Sequence, residues 1–95
     1  MTYKQLIDII KDPTARDDEV DDAIIDLGDY AEEEVIIFLI SISWNILEDY
    51  ILSSIGESIG QIFINDNRLY LKYGEEIKNL PAIIQREVGA ILESN

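Results

Sequence analysis

Four aspartates, Asp18, Asp22, Asp26 and Asp29, follow one another at steps of four, four and three residues. On a helix that spacing aligns them along a single stripe. Clustered carboxylates can hold a metal, share acid and base roles, or meet the cations of a partner. A calcium loop needs a DxDxDG run closed by a glutamate, which this sequence lacks, and the NDNRLY stretch from Asn65 to Tyr70 has no central glycine. An acid–base pair such as Asp22 and Asp26 would need a pocket to drive the two carboxyl pKa values apart, and nothing in the sequence builds one around them. Docking to a cationic partner demands only exposure. We therefore expect no metal, no cofactor and no catalytic residue.

The helix that carries these aspartates resists them. Like charges at this spacing each cost a few tenths of a kcal/mol, and aspartate forms helix less readily than glutamate. From Asp12 to Glu34 there are eleven carboxylates against one base, Arg16. The acids at helix starts, Asp17 to Glu19 and Glu32 to Glu34, suit the positive end of the helix dipole and read as a solvated face. Asp22, Asp26 and Asp29 lie toward the negative end, where that explanation fails and a partner becomes the sharper reading.

The whole chain narrows the partner. Ninety-five residues make one domain, spanning 1–95, and 47% hydrophobic content suits a globular fold. The absence of cysteine and histidine excludes disulfides, thiol nucleophiles, thiolate zinc sites and imidazole acid–base chemistry. A net charge of −13 repels nucleic-acid phosphate and steers basic proteins inward, so a basic protein is expected and nucleic acid is not. MTYKQLIDII has no charged leader ahead of an apolar core, so no signal peptide is expected. The apolar run from Val35 to Leu47 falls short of the ~20 residues that cross a bilayer. These features suggest a cytoplasmic protein without a membrane partner.

The elements that must position the stripe are helical. Thr2 and Gln5 suggest a capping box for a short first helix with Leu6, Ile7 and Ile10 on its apolar side, ended by Pro13. A second helix runs from Ala15 or Asp17 to Leu27 with Val20, Ala23, Ile24 and Leu27 inward and Gly28 as its stop. Glu32 to Glu34 open a third, apolar nearly all round from Val35 to Ile42. Its β-branched run also suits a buried strand, but the acidic first turn favours helix, and such a helix is expected at the centre of the core. A fourth spans about Leu47 to Ile64, with Ile51, Ile55, Ile59 and Ile62 on one side, Ser53, Ser54, Glu57 and Gln61 on the other, and Gly56 and Gly60 permitting a close helix contact. Residues 66–80 fit helix or irregular structure: Leu69, Leu71 and Tyr73 alternate like a strand, whereas Leu69, Tyr73, Ile77 and Leu80 step like a helix, and Gly74 argues for a break in either case. Pro81 begins a last helix through Ile84, Val88, Ile91 and Leu92.

Further candidates lie beside this framework. Trp44, just past the apolar helix, is expected to pack on the core, although tryptophan also marks binding hot spots. Tyr30 and Tyr50 sit at helix ends among acids, as a wet interface would have them, or as half-buried aromatics. Glu33, Glu48 and Asp49 complete the candidate partner-binding set with Asp18, Asp22, Asp26, Asp29 and the three aromatics.

Two segments repeat. AIIDLGDY (Ala23 to Tyr30) superposes on IGESIGQI (Ile55 to Ile62) with Gly28 over Gly60, a period of 32, and the register carries Val20 onto Leu52, Phe38 onto Tyr70 and Leu39 onto Leu71. The chain resembles the HEAT-repeat family in its short bacterial form, whose helix reads V-R-x-x-A-A-x-A-L-G. Ile51, Ile55, Gly56, Ser58, Ile59 and Gly60 match without a gap, and Ala23, Ile24, Leu27 and Gly28 match the second half after a one-residue deletion. The family's basic position is Leu52 in one copy and Asp21 or Asp22 in the other. The resemblance covers about Asp17 to Leu71. It implies an all-α fold of antiparallel hairpins stacked as a right-handed solenoid of five or six helices, and a binding scaffold rather than an enzyme. So small and acidic a version looks like a bacterial immunity protein, the antidote to a contact-dependent or polymorphic toxin, bound 1:1 to a basic nuclease domain. The alternative is a non-inhibitory HEAT-like adaptor that self-associates through apolar helix edges.

Overall fold

Residues 1–46 and 48–94 are described by a computed structural model, and among them the chain forms six helices and no strand. These are α1 (Tyr3–Lys11), α2 (Asp17–Leu27), α3 (Glu33–Ile42), α4 (Asp49–Asn65), α5 (Asn67–Ile77) and α6 (Ala82–Glu93). The all-α expectation holds, with α3 a helix and the undecided stretch 66–80 mostly helical. Leu47, the expected start of the fourth helix, lies outside the described residues; α4 begins at Asp49.

Local chemistry sets the boundaries. The Thr2–Gln5 capping box forms: Thr2 N–H donates to Gln5 Oε1 at 2.8 Å, and Gln5 N–H donates to Thr2 Oγ1 at 3.3 Å. Asp12 turns the chain at Pro13 by accepting from the Thr14 N–H and hydroxyl at 2.9 and 2.7 Å. The α4–α5 connection is a single residue, Asp66, whose Oδ1 caps α5 by accepting from Arg68 N–H at 3.0 Å. At the end of α2 the last four carbonyls all find donors. Gly28, Asp29 and Tyr30 N–H serve Ile25, Asp26 and Leu27, while Ile24 accepts from the Ser58 hydroxyl of α4 at 2.6 Å.

That last bond belongs to the packing of α4, the centre of the fold. It packs most extensively against α6, and also against α2, α5 and α3. Ile55, Ile59 and Ile62 are fully buried, as are Ile24 and Leu27 on α2 and Ile84 on α6. Each such side chain contributes about 1.5–3 kcal/mol by leaving water. Ser58 meets Ile24, while Gly56 meets Ile84 and Glu87, and Gly60 meets Ile91. From Gly56 to Gly60 the partners on α6 rise from Ile84 to Ile91, and from Tyr50 to Ser58 the partners on α2 rise from Asp17 to Ile24, so α2, α4 and α6 run parallel with α4 in the middle. Gly28 and Gly60, superposed by the repeat, each face the next helix in this row. A Cβ at Gly28 would come within 3.2 Å of Ser58 Cα, and one at Gly60 within 3.0 Å of the Ile91 side chain.

Several expectations change. Gly28 does cap α2, but in right-handed helical conformation (φ −60°), so what it supplies is space for α4 rather than a left-handed turn. Gly74 does not break α5: the Tyr70 ring lies over it, 3.2 Å from where a Cβ would stand, and helix continues to Ile77. Helix α3 is not the central one. It buries Val35, Ile36 and Leu39 against α4 and α5 while Ile37 stays 51% exposed, because α4 occupies the middle. Ser54, expected outward on α4, is buried, as is Ser58. The repeat register also fails in the second helix of each pair: Leu39 is fully buried, whereas Leu71 is 73% exposed. Five residues join α2 to α3 but one joins α4 to α5, which shifts the buried stripe of α5 to Leu69, Tyr73 and Ile77.

The glycines make a paired prediction. Alanine at Gly56 would place Cβ 2.7 Å from Glu87 Cβ and 2.9 Å from the Ile84 carbonyl oxygen, whereas at Gly89 on α6 nothing lies within 4 Å. Gly56→Ala should cost about 1–3 kcal/mol in urea unfolding through overpacking. Gly89→Ala should gain up to ~1 kcal/mol through helix propensity.

Candidate functional site

Helix α2 turns one face into the core and leaves Asp18, Asp22 and Asp26 exposed on the other, with Asp29 exposed in the turn just past its end. Arg16 stands at its start, 3.5 Å from Asp18 and 3.1 Å from Glu19, so the upper end of the stripe does have a cation. Among the described residues, no ion pair or side-chain hydrogen bond engages Asp22, Asp26 or Asp29. Beside them lies Ile25, 42% exposed. It sits three residues from Asp22 and four from Asp29, so helical geometry sets it next to the carboxylate row, at the edge that faces α4. Ile25 falls off the buried stripe of Ala23, Ile24 and Leu27, and that phase mismatch was its signal in the sequence. Shallow depressions flank the row: Met1, Leu6 and Ile9 border Asp22 and Asp26 on one side, and Glu57, Ser58 and Gln61 border Ile25 and Asp29 on the other.

The parallel run of α2 and α4 brings a second group to the same end. Tyr50, in the first turn of α4, is 52% exposed, and its phenol is pushed above the usual tyrosine value by partial desolvation, then by the charges of Asp17, Asp21, Glu48 and Asp18. Asp21 Oδ1 is shielded from solvent and has no hydrogen-bond partner among the described residues. Glu48 and Asp49 are exposed beside it. Trp44 is 61% exposed, against the expectation that it packs on the core. Its neighbour Ser43 takes the buried place instead, donating to the Leu39 carbonyl at 2.8 Å, which turns the following side chain outward.

Two candidates are engaged by contacts within the chain. The Tyr30 hydroxyl donates to the Met1 carbonyl, and its ring lies 6.0 Å from that of Tyr3, whose own hydroxyl donates to Glu34 at 2.9 Å. These contacts pin α1 to the start of α3. Glu33 accepts from Lys72 at 2.5 Å and ties α3 to α5. The Lys72 hydrogen bond, then that of Tyr73, holds the Glu33 carboxyl below its ordinary value, and the same pair raises the Lys72 ammonium. Neither residue is free to serve the α2 face.

Among the described residues no group of three or more potential ligands could hold a metal ion, and no helix is long and apolar enough to cross a membrane. Comparisons with protein-family models, curated proteins and solved structures find no match to this chain.

The Glu33–Lys72 pair carries a pH signature. A depressed carboxyl contributes stability above its ordinary value and loses it as pH falls through the lower folded value. Glu33→Gln should therefore lower Tm at neutral pH, with the deficit shrinking to nothing once acid protonates the wild-type carboxylate. A deficit constant across the acid range would show that the charge of Glu33 is irrelevant.

Proposed function

We propose that this chain is an immunity protein, the cytoplasmic antidote that binds and blocks a basic, nuclease-like bacterial toxin in a 1:1 complex. The observation that carries the reading is the exposed face at α2: three carboxylates without internal partners, with the exposed Ile25 beside them on the side toward α4. An apolar side chain bordered by charged ones is how binding surfaces are built. The carboxylates form a row of anions about 6 Å apart along the helix. A groove evolved to hold nucleic-acid phosphates with lysine and arginine would meet in that row a substitute for its substrate. Tyr50, more than half exposed in the first turn of α4, extends the row with an aromatic anchor among Asp17, Asp18 and Glu48, and Trp44, also more than half exposed, offers a second in the α3–α4 connection.

The parallel row of α2, α4 and α6 supports reading the chain as a short HEAT-like stack, a scaffold in which outer helix faces do the binding. The field of a −13 chain would add fast, steered encounter with a cationic partner.

The proposal expects a basic nuclease toxin encoded directly upstream. With that toxin domain as probe, the association rate should fall tenfold or more as salt rises from about 50 to 500 mM. Ile25→Ala and Trp44→Ala should each weaken binding by roughly 1–3 kcal/mol, as hot-spot side chains do, while changing the Tm of the free protein little. Binding that ignores salt would favour an apolar adaptor, and failure to bind or inhibit the toxin would remove the antidote reading.

A further inference from the structure

The edge formed by α5 and α6 carries an apolar groove that the described chain does not fill. Phe63, Tyr70, Ile77, Val88 and Leu92 line it with Gly89 of α6, and Gln85 and Lys78, the latter paired with Glu75 at 3.1 Å, form its polar side. The Tyr70 ring, tilted against that of Phe63 with centroids 5.4 Å apart, remains 40% exposed. Gly56 and Gly60 are explained by the approach of α4 to α6, but a Cβ at Gly89 would meet nothing within 4 Å. This glycine gives up helix propensity with no internal contact in return.

The charges beside the groove identify what fits it. Arg86 and Glu93 are exposed and make no ion pair among the described residues. Periodicity places them on one stripe of α6 with Gly89 between them, about 10 Å apart along the axis. A stripe with a cation at one end and an anion at the other is complementary to itself only when the second copy runs antiparallel. At a net charge of −13, two copies otherwise repel, so association needs such a local match.

We propose that a second copy of this chain docks on this edge, α6 crossing α6 antiparallel beside Gly89. Arg86 of each copy faces Glu93 of the other, and the missing side chain at Gly89 lets the helices approach closely enough to cover the groove. The interface is isologous, closing at two copies rather than growing into a filament. Helix α4 lies between α6 and α2, so the acidic face stays open on both copies.

Sedimentation equilibrium tests this on the chain as it stands. The expected mass at high concentration is twice the 10.8 kDa of one chain. Arg86→Glu and Glu93→Arg should each weaken dimerisation at least tenfold, and the double swap should restore it, since it re-forms the pair in reverse. The single variants move the net charge in opposite directions, so general repulsion predicts opposite effects where the pairing predicts the same one. Gly89→Arg, whose added side chain starts in open space, should yield a monomer with an unchanged helical spectrum. A monomer at every concentration up to about 1 mM would overturn the proposal, as would a dimer that survives the single swaps or Gly89→Arg.

Discussion

The close approach of α4 to its neighbours on both sides is the constraint on which the rest of the molecule depends. It is made possible by the absence of side chains at Gly28, Gly56 and Gly60 and by the small, hydrogen-bonding one at Ser58. Ser58 lies 2% exposed and joins the two helices chemically, because its hydroxyl supplies the donor that the Ile24 carbonyl lacks at the end of α2. A larger residue at any of these positions would push a helix outward and open the isoleucine core of α4. The hydrogen bond itself is worth about 1 kcal/mol net, but an orphaned carbonyl there would cost about 1–3.

The same constraint decides what reaches the surface. Since α2 is pressed against α4 through Ile24 and Gly28 and against α1 on another side, only its remaining face is left to solvent, and Asp18, Asp22 and Asp26 are displayed in a fixed row there. Since α2 and α4 run parallel, the first turns of both lie together, and Tyr50 stands within the field of Asp17, Asp18 and Asp21. The fold thus gathers negative charge at one end and along one edge. Elsewhere three acids are answered by cations: Glu33 by Lys72, Asp66 by Arg68, Glu75 by Lys78. Exposed pairs of this kind contribute little stability. Their interest lies in the contrast with Asp22, Asp26 and Asp29, which have no such neighbours.

Much of this was legible in the residues because it is local. The Thr2–Gln5 box and the helix stop at Gly28 act over a turn or two, and the glycine spacing of 32, a repeat visible by inspection, marks the helices that approach one another. What escaped the sequence was set by packing between distant segments. The Glu33–Lys72 pair spans 39 residues, and the Ser58–Ile24 bond 34. The apolar composition of α3 suggested a central helix, but hydrophobicity reports burial only on average, and α4 has the glycines that admit neighbours on several sides. Trp44 followed the same pattern: its type favours the interior, yet the turn at Ser43 faces it outward. Ile25 carried its signal in plain view, as an apolar side chain out of phase with the buried stripe.

An acidic face selected for a partner should burden the free protein, and one selected for folding should support it. The triple variant Asp22→Asn, Asp26→Asn, Asp29→Asn separates the two, because its effects on folding and on protection have opposite signs. Removing like charges at helical spacing and near the negative end of α2 should leave Tm unchanged or higher. It should also weaken toxin binding by a few kcal/mol, since the cations that met those carboxylates lose their partners. Equal or raised Tm with lost protection is the predicted result. A lower Tm with full protection would contradict the account, making the stripe structural and moving the interface elsewhere.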